Sequence, residues 1–199
     1  MQVLNYNLPD FGLLQSKTDA SLVWIPDKTY IVLGASNRAE SALHTDRVEK
    51  DEINVLKRPS GGQTVMLTPL NIVIATVRVE PIMVQPKDVF DRTNQIVISV
   101  LKSFGIKGLH LTGISDIAIN GMKILGSAIY RKKDVLLYHA VLNVAEPAST
   151  FEYYLQHPQK EPDYRQGRTH ADFVTSLYKE GFSATQIQLQ IALEKALND

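Results

Sequence analysis

Lys123 follows the dipeptide Asn120-Gly121 in the stretch Gly113-Ile-Ser-Asp-Ile-Ala-Ile-Asn-Gly-Met-Lys-Ile-Leu-Gly-Ser-Ala128. Asn-Gly between two alternating runs is a strong hairpin signal, because a two-residue type I′ turn needs positive φ at both centres. That turn sets a register: Ile119 opposite Met122, Ala118 opposite Lys123, Ile117 opposite Ile124 and Asp116 opposite Leu125. Paired residues share a face, so Lys123 lies on the side that carries Ala118 and Asp116. A lysine opposite a small residue has room to reach a ligand, and the carboxylate gives it a partner when none is bound. The same pattern also suits an exposed lysine on an ordinary hairpin.

A second stretch able to bind a ligand is Lys57-Arg-Pro-Ser-Gly-Gly-Gln-Thr-Val65. Adjacent glycines let the backbone pass close to a ligand and aim N–H groups at it. Arg58 is a forked cation suited to carboxylate or phosphate. A plain glycine turn between strands is the competing reading. The spacing matches neither a nucleotide P-loop nor a dinucleotide fingerprint.

The bulk numbers limit the chemistry. The 199 residues suit one core-bearing domain, with 44% hydrophobic and 21% charged residues, as in soluble globular proteins. Formal net charge is zero, which gives no argument for a nucleic-acid partner. No run is apolar and long enough to span a bilayer, and no signal peptide follows Met1, so a cytoplasmic protein without a membrane partner is expected. With no cysteine, disulfides, thiolate metal sites and a cysteine nucleophile are excluded. The five histidines never pair at helical ligand spacing, which argues against a metal site built from them.

The elements that must hold these residues can be read in outline. Strands are expected at Leu22–Ile25, Tyr30–Leu33, Asn54–Arg58 and Val135–Leu142, with a hairpin of Thr64–Leu67 and Asn71–Val77 turned at Pro69. Ser36–Lys50 reads as a surface loop with a short helix. Lys87–Phe104 has helical apolar spacing, and Gly105 is placed to cap it. Ser149–Leu155 and Thr169–Tyr178 read as helices, the latter capped by Thr169, with the polar loop Pro158–Gly167 between them. A last helix runs from a Ser183 cap to Leu197. Strands bunched around helices, without βαβ alternation, predict an α+β fold with a mixed, largely antiparallel sheet and flanking helices.

Taken together, these stretches resemble the lipoate–protein ligase family, within the wider group of biotin ligases and octanoyltransferases. The residues that carry the likeness are Arg58-Pro-Ser60-Gly61-Gly62, Asp116, Lys123, Gly126-Ser127-Ala128 and His139, in that order, over roughly residues 20–178. The segment Tyr164-Arg-Gln-Gly-Arg-Thr-His170 also looks like the tail of the catalytic domain in some members. The resemblance implies a biotin/lipoate ligase-like catalytic domain that joins ATP to lipoate or a related medium-chain acid. The acyl-adenylate formed then passes its acyl group to a lysine of a lipoyl carrier domain.

Under that likeness Lys123 is the catalytic residue. It binds the acid's carboxylate and then the adenylate's carbonyl and phosphate, where a fixed cation stabilises developing charge. Arg58, Ser60, Gly61, Gly62, Gln63, Thr64, Gly126, Ser127, Ala128 and His139 line the acid's site. Asp116 holds the adenylate or a magnesium ion, or is simply the structural partner of Lys123. His139 lines the acyl tunnel or is a satisfied core histidine. Arg131-Lys132-Lys133 covers the phosphates or is a solvated hairpin tip.

Gln63 stands where the family has a third glycine, Met66-Leu67-Thr68 replaces an aromatic-His-Asp, and Ser115 replaces an asparagine. The family's N-terminal helix is not recognisable in Met1–Leu22. A second reading is therefore a diverged, non-catalytic lipoate-binding or scaffold paralogue. The chain is expected to be one catalytic domain, 1–199, without a C-terminal accessory domain. The last helix turns Leu189, Ala192, Leu193, Ala196 and Leu197 to one side, and Ile187 and Ile191 to another. The plain reading buries both sides in the domain. The alternative has Ile187 and Ile191 meet an accessory subunit or the carrier protein.

Overall fold

Apolar and alternating runs set the strands, and the two faces of each strand sort them into two sheets. The computed structural model describes residues 1–79 and 84–199. Strand β1 (Val3–Asn5) leads through a 3-10 turn at Pro9–Gln15 to β2 (Ala20–Trp24) and β3 (Tyr30–Leu33). Helices α1 (Ala39–Ala42) and α2 (Thr45–Lys50) come next, then β4 (Asn54–Lys57), β5 (Val65–Leu67) and β6 (Asn71–Val79). After them come α3 (Pro86–Ser103), β7 (Leu109–Thr112), β8 (Asp116–Ile119), β9 (Met122–Lys132) and β10 (Val135–Asn143). The chain continues through α4 (Ala148–Tyr154), a 3-10 turn at Asp163–Arg165, α5 (His170–Phe173) and α6 (Gln186–Asn198).

The larger sheet has the order β2-β6-β10-β9-β8-β7 and is antiparallel throughout. The smaller has the order β1-β4-β3-β5, parallel as far as β3 and antiparallel at β5. The α+β class and the mixed, largely antiparallel pairing agree with the sequence expectation. One face of the larger sheet, with Ile72, Ile74, Tyr138 and Leu142, is buried under α3 and α6. The other face carries Val73, Ala75, Leu137 and His139 toward the smaller sheet and the first 3-10 turn. The long apolar run of β6 is thus explained by burial on both faces. No described helix is long and apolar enough to cross a membrane.

Several expected details are corrected. β5 and β6 are joined by the tight turn at Pro69, with Asn71 N–H donating to Thr68 O, but they form no hairpin. β5 pairs with β3, and β6 with β2 and β10, so the turn carries the chain from the smaller sheet to the larger, with Leu67 and Val73 meeting in the layer between them. The Thr169 cap is present, yet α5 ends at Phe173. Val174 is extended there and bridges Lys123, so backbone pairing replaces helix. The last helix is capped by Thr185, not Ser183, through a reciprocal capping box with Gln188. Leu189 and Leu193 of α6 are buried, whereas Ile187 and Ile191 are 56% and 61% exposed, so the helix does not bury both sides. Arg131 and Lys132 belong to β9, and the turn of that hairpin is Lys133-Asp134.

Candidate active site

The hairpin that carries Lys123 turns at Asn120-Gly121 with φ of 51° and 77°, as a type I′ turn requires. Ile119 pairs with Met122 and Ala118 with Lys123, as expected. Beyond that the register is corrected: Ile117 pairs with Leu125, and Ile124 is the extra residue of a β-bulge. Without the bulge, Lys123 would share a face with Leu125 and Ser127, whose partners Leu142 and Ala140 lie under the helices. The bulge sends both Ile124 and Leu125 into that core and turns Lys123 to the face of Gly126 and Ala128.

Lys123 is held from several directions. Its Nζ lies 2.9 Å from Asp116 Oδ1. Tyr164 donates its hydroxyl to Asp116 Oδ2 at 2.8 Å, and burial followed by the Asp116 charge keeps that phenol protonated. The Lys123 carbonyl accepts from Thr175 N–H at 3.0 Å. A Cβ at Gly126 would stand 2.7 Å from Lys123 Cε and Nζ, so the lysine stem occupies the space a side chain would need.

The stretch Arg58–Thr64 forms a loop whose inside is filled by the arginine. Arg58 Nε donates to Ser60 Oγ at 2.9 Å, Nη1 to Val32 O at 3.2 Å, and Nη2 to Gly61 O at 2.9 Å and Gln63 O at 2.7 Å. Burial lowers its pKa to about 10, which leaves it charged at neutral pH. A guanidinium with five donors is suited to gathering carbonyls in this way. Arg58 is therefore the clamp of the glycine loop rather than a bare cation in the cavity.

Ser60 Oγ lies 2.8 Å from His139 Nε2, and His139 Nδ1 lies 3.2 Å from Asp10 Oδ2. Tyr6 donates its hydroxyl to Asp10, and burial, then Asp10, pushes its pKa up. These side chains tie the first 3-10 turn, β10 and the loop into one buried network. Gly34 backs the loop: a Cβ there would lie 2.0 Å from Gly62 O. Asn37 Oδ1 accepts from Gly34 N–H and from Thr64 Oγ1–H.

Between the sheets lies a cavity of about 480 Å³. Val65, Met66, Leu67, Val73 and Val141 give it apolar walls, and Lys123, Asp116 and His139 line it too. Of the sequence candidates, Arg58, Gly62, Gln63, Thr64, Asp116, Lys123, Gly126, Ser127, Ala128 and His139 line this one space. Ser60 and Gly61 lie in the loop behind it. The cavity lining does not include Arg131, Lys132 or Lys133. Sequence reasoning missed Tyr6 and Asp10, whose surroundings carry no pattern, and gave no role to Gly34, Asn37, Tyr164 or Arg165. No group of three or more Asp, Glu or His side chains able to hold a metal occurs among the described residues.

A family model described as the lipoyl protein ligase A/B catalytic domain matches residues 11–197. A probable lipoate-protein ligase A of Mycoplasma pneumoniae is 30% identical over 112 residues, covering 56% of this chain and 32% of that protein. The matched stretch is thus about a third of that relative's length. Among solved structures, the bi-partite lipoate protein ligase of Thermoplasma acidophilum superposes with a TM-score of 0.81 at 17% identity, over 99% of this chain and 82% of that one. A lipoate-protein ligase A bound with ATP gives 0.80 at 18% identity, over 99% and 83%. A third structure, of T. acidophilum with bound lipoic acid, gives 0.78 at 18%, over 99% and 84%. These likenesses show the fold. The family match runs through the strands, the glycine loop and the lysine hairpin alike, and the chain belongs to the lipoyl protein ligase A/B catalytic domain family.

Proposed function

We propose that this chain activates lipoate, or a related medium-chain acid, with ATP, and passes the acyl group from the adenylate to a lysine of a lipoyl carrier domain. The observation that carries the reading is the Lys123 ammonium, paired with Asp116 at 2.9 Å, on the wall of a cavity with apolar sides. Family membership and the ATP- and lipoate-bound relatives support it.

The acid's chain lies against Val65, Leu67 and Val141, with its carboxylate at Lys123. A carboxylate oxygen attacks the α-phosphorus and pyrophosphate leaves. Lys123 then faces the carbonyl and phosphate oxygens of the mixed anhydride, where charge grows in the transition state. The carrier's lysine amine attacks that carbonyl, and AMP leaves. Magnesium is usually held by one or two carboxylates together with substrate phosphates. Asp116, whose oxygens meet Lys123 and Tyr164, is the carboxylate that would hold it beside Lys123, where the ion would supply neutralisation of phosphate charge. An accessory protein that assists transfer belongs to the same proposal, supported by the bi-partite relative and by exposed Ile187 and Ile191.

Mass spectrometry of the protein with ATP, magnesium and lipoate, octanoate or biotin tests the reading. An acyl-adenylate with stoichiometric pyrophosphate is expected, and Lys123→Ala should remove both while leaving the fold intact. Binding without pyrophosphate release supports a non-catalytic lipoate-binding protein instead. Normal turnover in Lys123→Ala would end the mechanism.

A further inference from the structure

Three arginines surround the site, and they differ in how their donors are used. Arg58 makes four hydrogen bonds. Arg168 also makes four, to the carbonyls of Arg165, Asp172, Gly121 and Tyr164. Arg165 is only 4% exposed, yet among the described residues its guanidinium makes one hydrogen bond, from Nε to Arg168 O at 2.9 Å. Its Nη2 is sealed from solvent without a partner.

A buried guanidinium with unused donors is unfavourable unless something else meets it. The nearest carboxylate, Glu161, is 3.4 Å from Nε and also takes His157 and the Gly167 N–H. The Phe173 ring, 4.8 Å from the guanidinium carbon, holds the planar group in place. Arg165 lines the same cavity as Lys123 and Asp116. That lining carries Arg58, Lys123, Lys160 and Arg165 against only Asp116 and Glu161, in a chain whose net charge is zero. The surplus positive charge gathered here suits a polyanion.

We infer that Arg165 is the phosphate-binding cation of this cavity and meets the β- and γ-phosphates of the nucleotide. The inference rests on the proposed ATP-dependent reading. It takes the role that the sequence offered to Arg131-Lys132-Lys133, which do not line the cavity. Burial, followed by the Arg165 charge, holds the pKa of neighbouring His170 near 4, so the guanidinium is felt across this wall of the cavity even with Glu161 beside its Nε. A planar fork matches phosphate oxygens, and its stacked position lowers the entropy lost on binding.

Calorimetric titration of the wild type, Arg165→Gln and Arg165→Lys with ATP, adenosine and lipoate tests it, with melting curves alongside. Arg165→Gln is expected to weaken ATP about ten- to a hundredfold, while adenosine and lipoate stay within about twofold. Arg165→Lys should fall between for ATP, because it keeps the charge and loses the fork. Equal weakening of all three ligands would show Arg165 to be structural, and unchanged ATP affinity would also overturn the inference. Should Arg165→Gln fail to fold, Arg165→Lys decides by the same ATP-to-adenosine comparison. A wild type that binds no ATP removes the ligase reading itself. Wild-type ATP binding with indifferent variants removes only the role of Arg165.

Discussion

Alanine at Gly126 perturbs the lysine without touching its chemistry. Gly126 is not among the residues with positive φ, so alanine suits its backbone. The new Cβ would stand 2.7 Å from Lys123 Cε and Nζ, where ordinary contact begins at 3.4 Å. The yielding atoms are the far end of a flexible side chain, so the ammonium retreats by about 0.7 Å or more. That is enough to stretch its 2.9 Å contact with Asp116 beyond hydrogen-bond range. A misplacement near 1 Å costs a rate on the order of 10²-fold. Stability should barely move. Glycine to alanine at a compatible φ contributes roughly 0.4–1 kcal/mol, which offsets part of the loosened Lys123–Asp116 pair, and Asp116 keeps its hydrogen bond from Tyr164. The assay is single-turnover pyrophosphate release with lipoate and ATP, with melting temperatures and Gly12→Ala as a control. Nothing lies within 4 Å of a Cβ at Gly12, so that variant should match the wild type. A wild-type rate in Gly126→Ala would refute the reasoning, and so would a lost rate accompanied by general unfolding.

Three further outcomes are expected. A Cβ at Gly34 would meet Gly62 O at 2.0 Å, backbone against backbone, so Gly34→Ala should cost roughly 1–3 kcal/mol and displace the glycine loop. Denaturant melts and lipoate affinity measure both, and unchanged binding would contradict it. Buried His170 has its pKa lowered to about 4 in the folded chain, by burial and then by Arg165. The unfolded chain therefore takes the proton first, and stability falls as pH drops through the window from 6.5 to 4. The loss should be roughly 2 kcal/mol between pH 7 and 4.5, and His170→Gln should flatten that slope. Equal slopes in the two proteins would count against it. Ser60, His139 and Asp10 stand in the order of a nucleophilic triad. Ser60 is only 2% exposed and its Oγ already accepts from Arg58 Nε, so no acyl-serine should form. A hydroxylamine-sensitive adduct that survives denaturation would prove otherwise.

Where local chemistry decides, the sequence was legible. Tyr30–Leu33 forms a strand with the expected bounds, α3 starts and stops within a residue of its periodic run, and Gly105 takes the positive φ of a helix cap. The candidates drawn from the glycine loop and the lysine hairpin converge on one cavity, Ser60 and Gly61 just behind it. What failed was set at a distance. Both Ser183-Ala-Thr-Gln186 and Thr185-Gln-Ile-Gln188 read as capping boxes. Gln186 donates instead to Asn71 O, which ties the helix start to β6 and leaves Thr185 as the cap. The destination of β5 and the early end of α5 likewise depend on partners far along the chain. Asp10 has no local pattern. It becomes visible only when His139 and Tyr6 are folded onto it.

The bulge at Ile124 is where local and distant constraints meet, and it explains why the hairpin reading was right about Lys123 for an incomplete reason. Strict pairing from the Asn120-Gly121 turn puts Lys123 beside Asp116 but leaves both opposite the wrong face of the strands that follow. Four and five residues past the turn, β9 must match β10 with Leu125 on Leu142 and Gly126 on Val141, because Leu142 belongs to the helix-covered core. Two registers, one imposed by the turn and one by the core, differ by a single residue. The extra residue is Ile124, which the core accepts as readily as Leu125. The lysine is thereby delivered to the cavity with its backbone fixed by β8 on one side and Val174–Thr175 on the other. Its stem fills the gap left by Gly126, and Tyr164 holds its counter-charge. Under the proposed reading, a group placed by so many independent contacts would need little reorganisation on exchanging Asp116 for a ligand, which is what electrostatic stabilisation of a transition state requires.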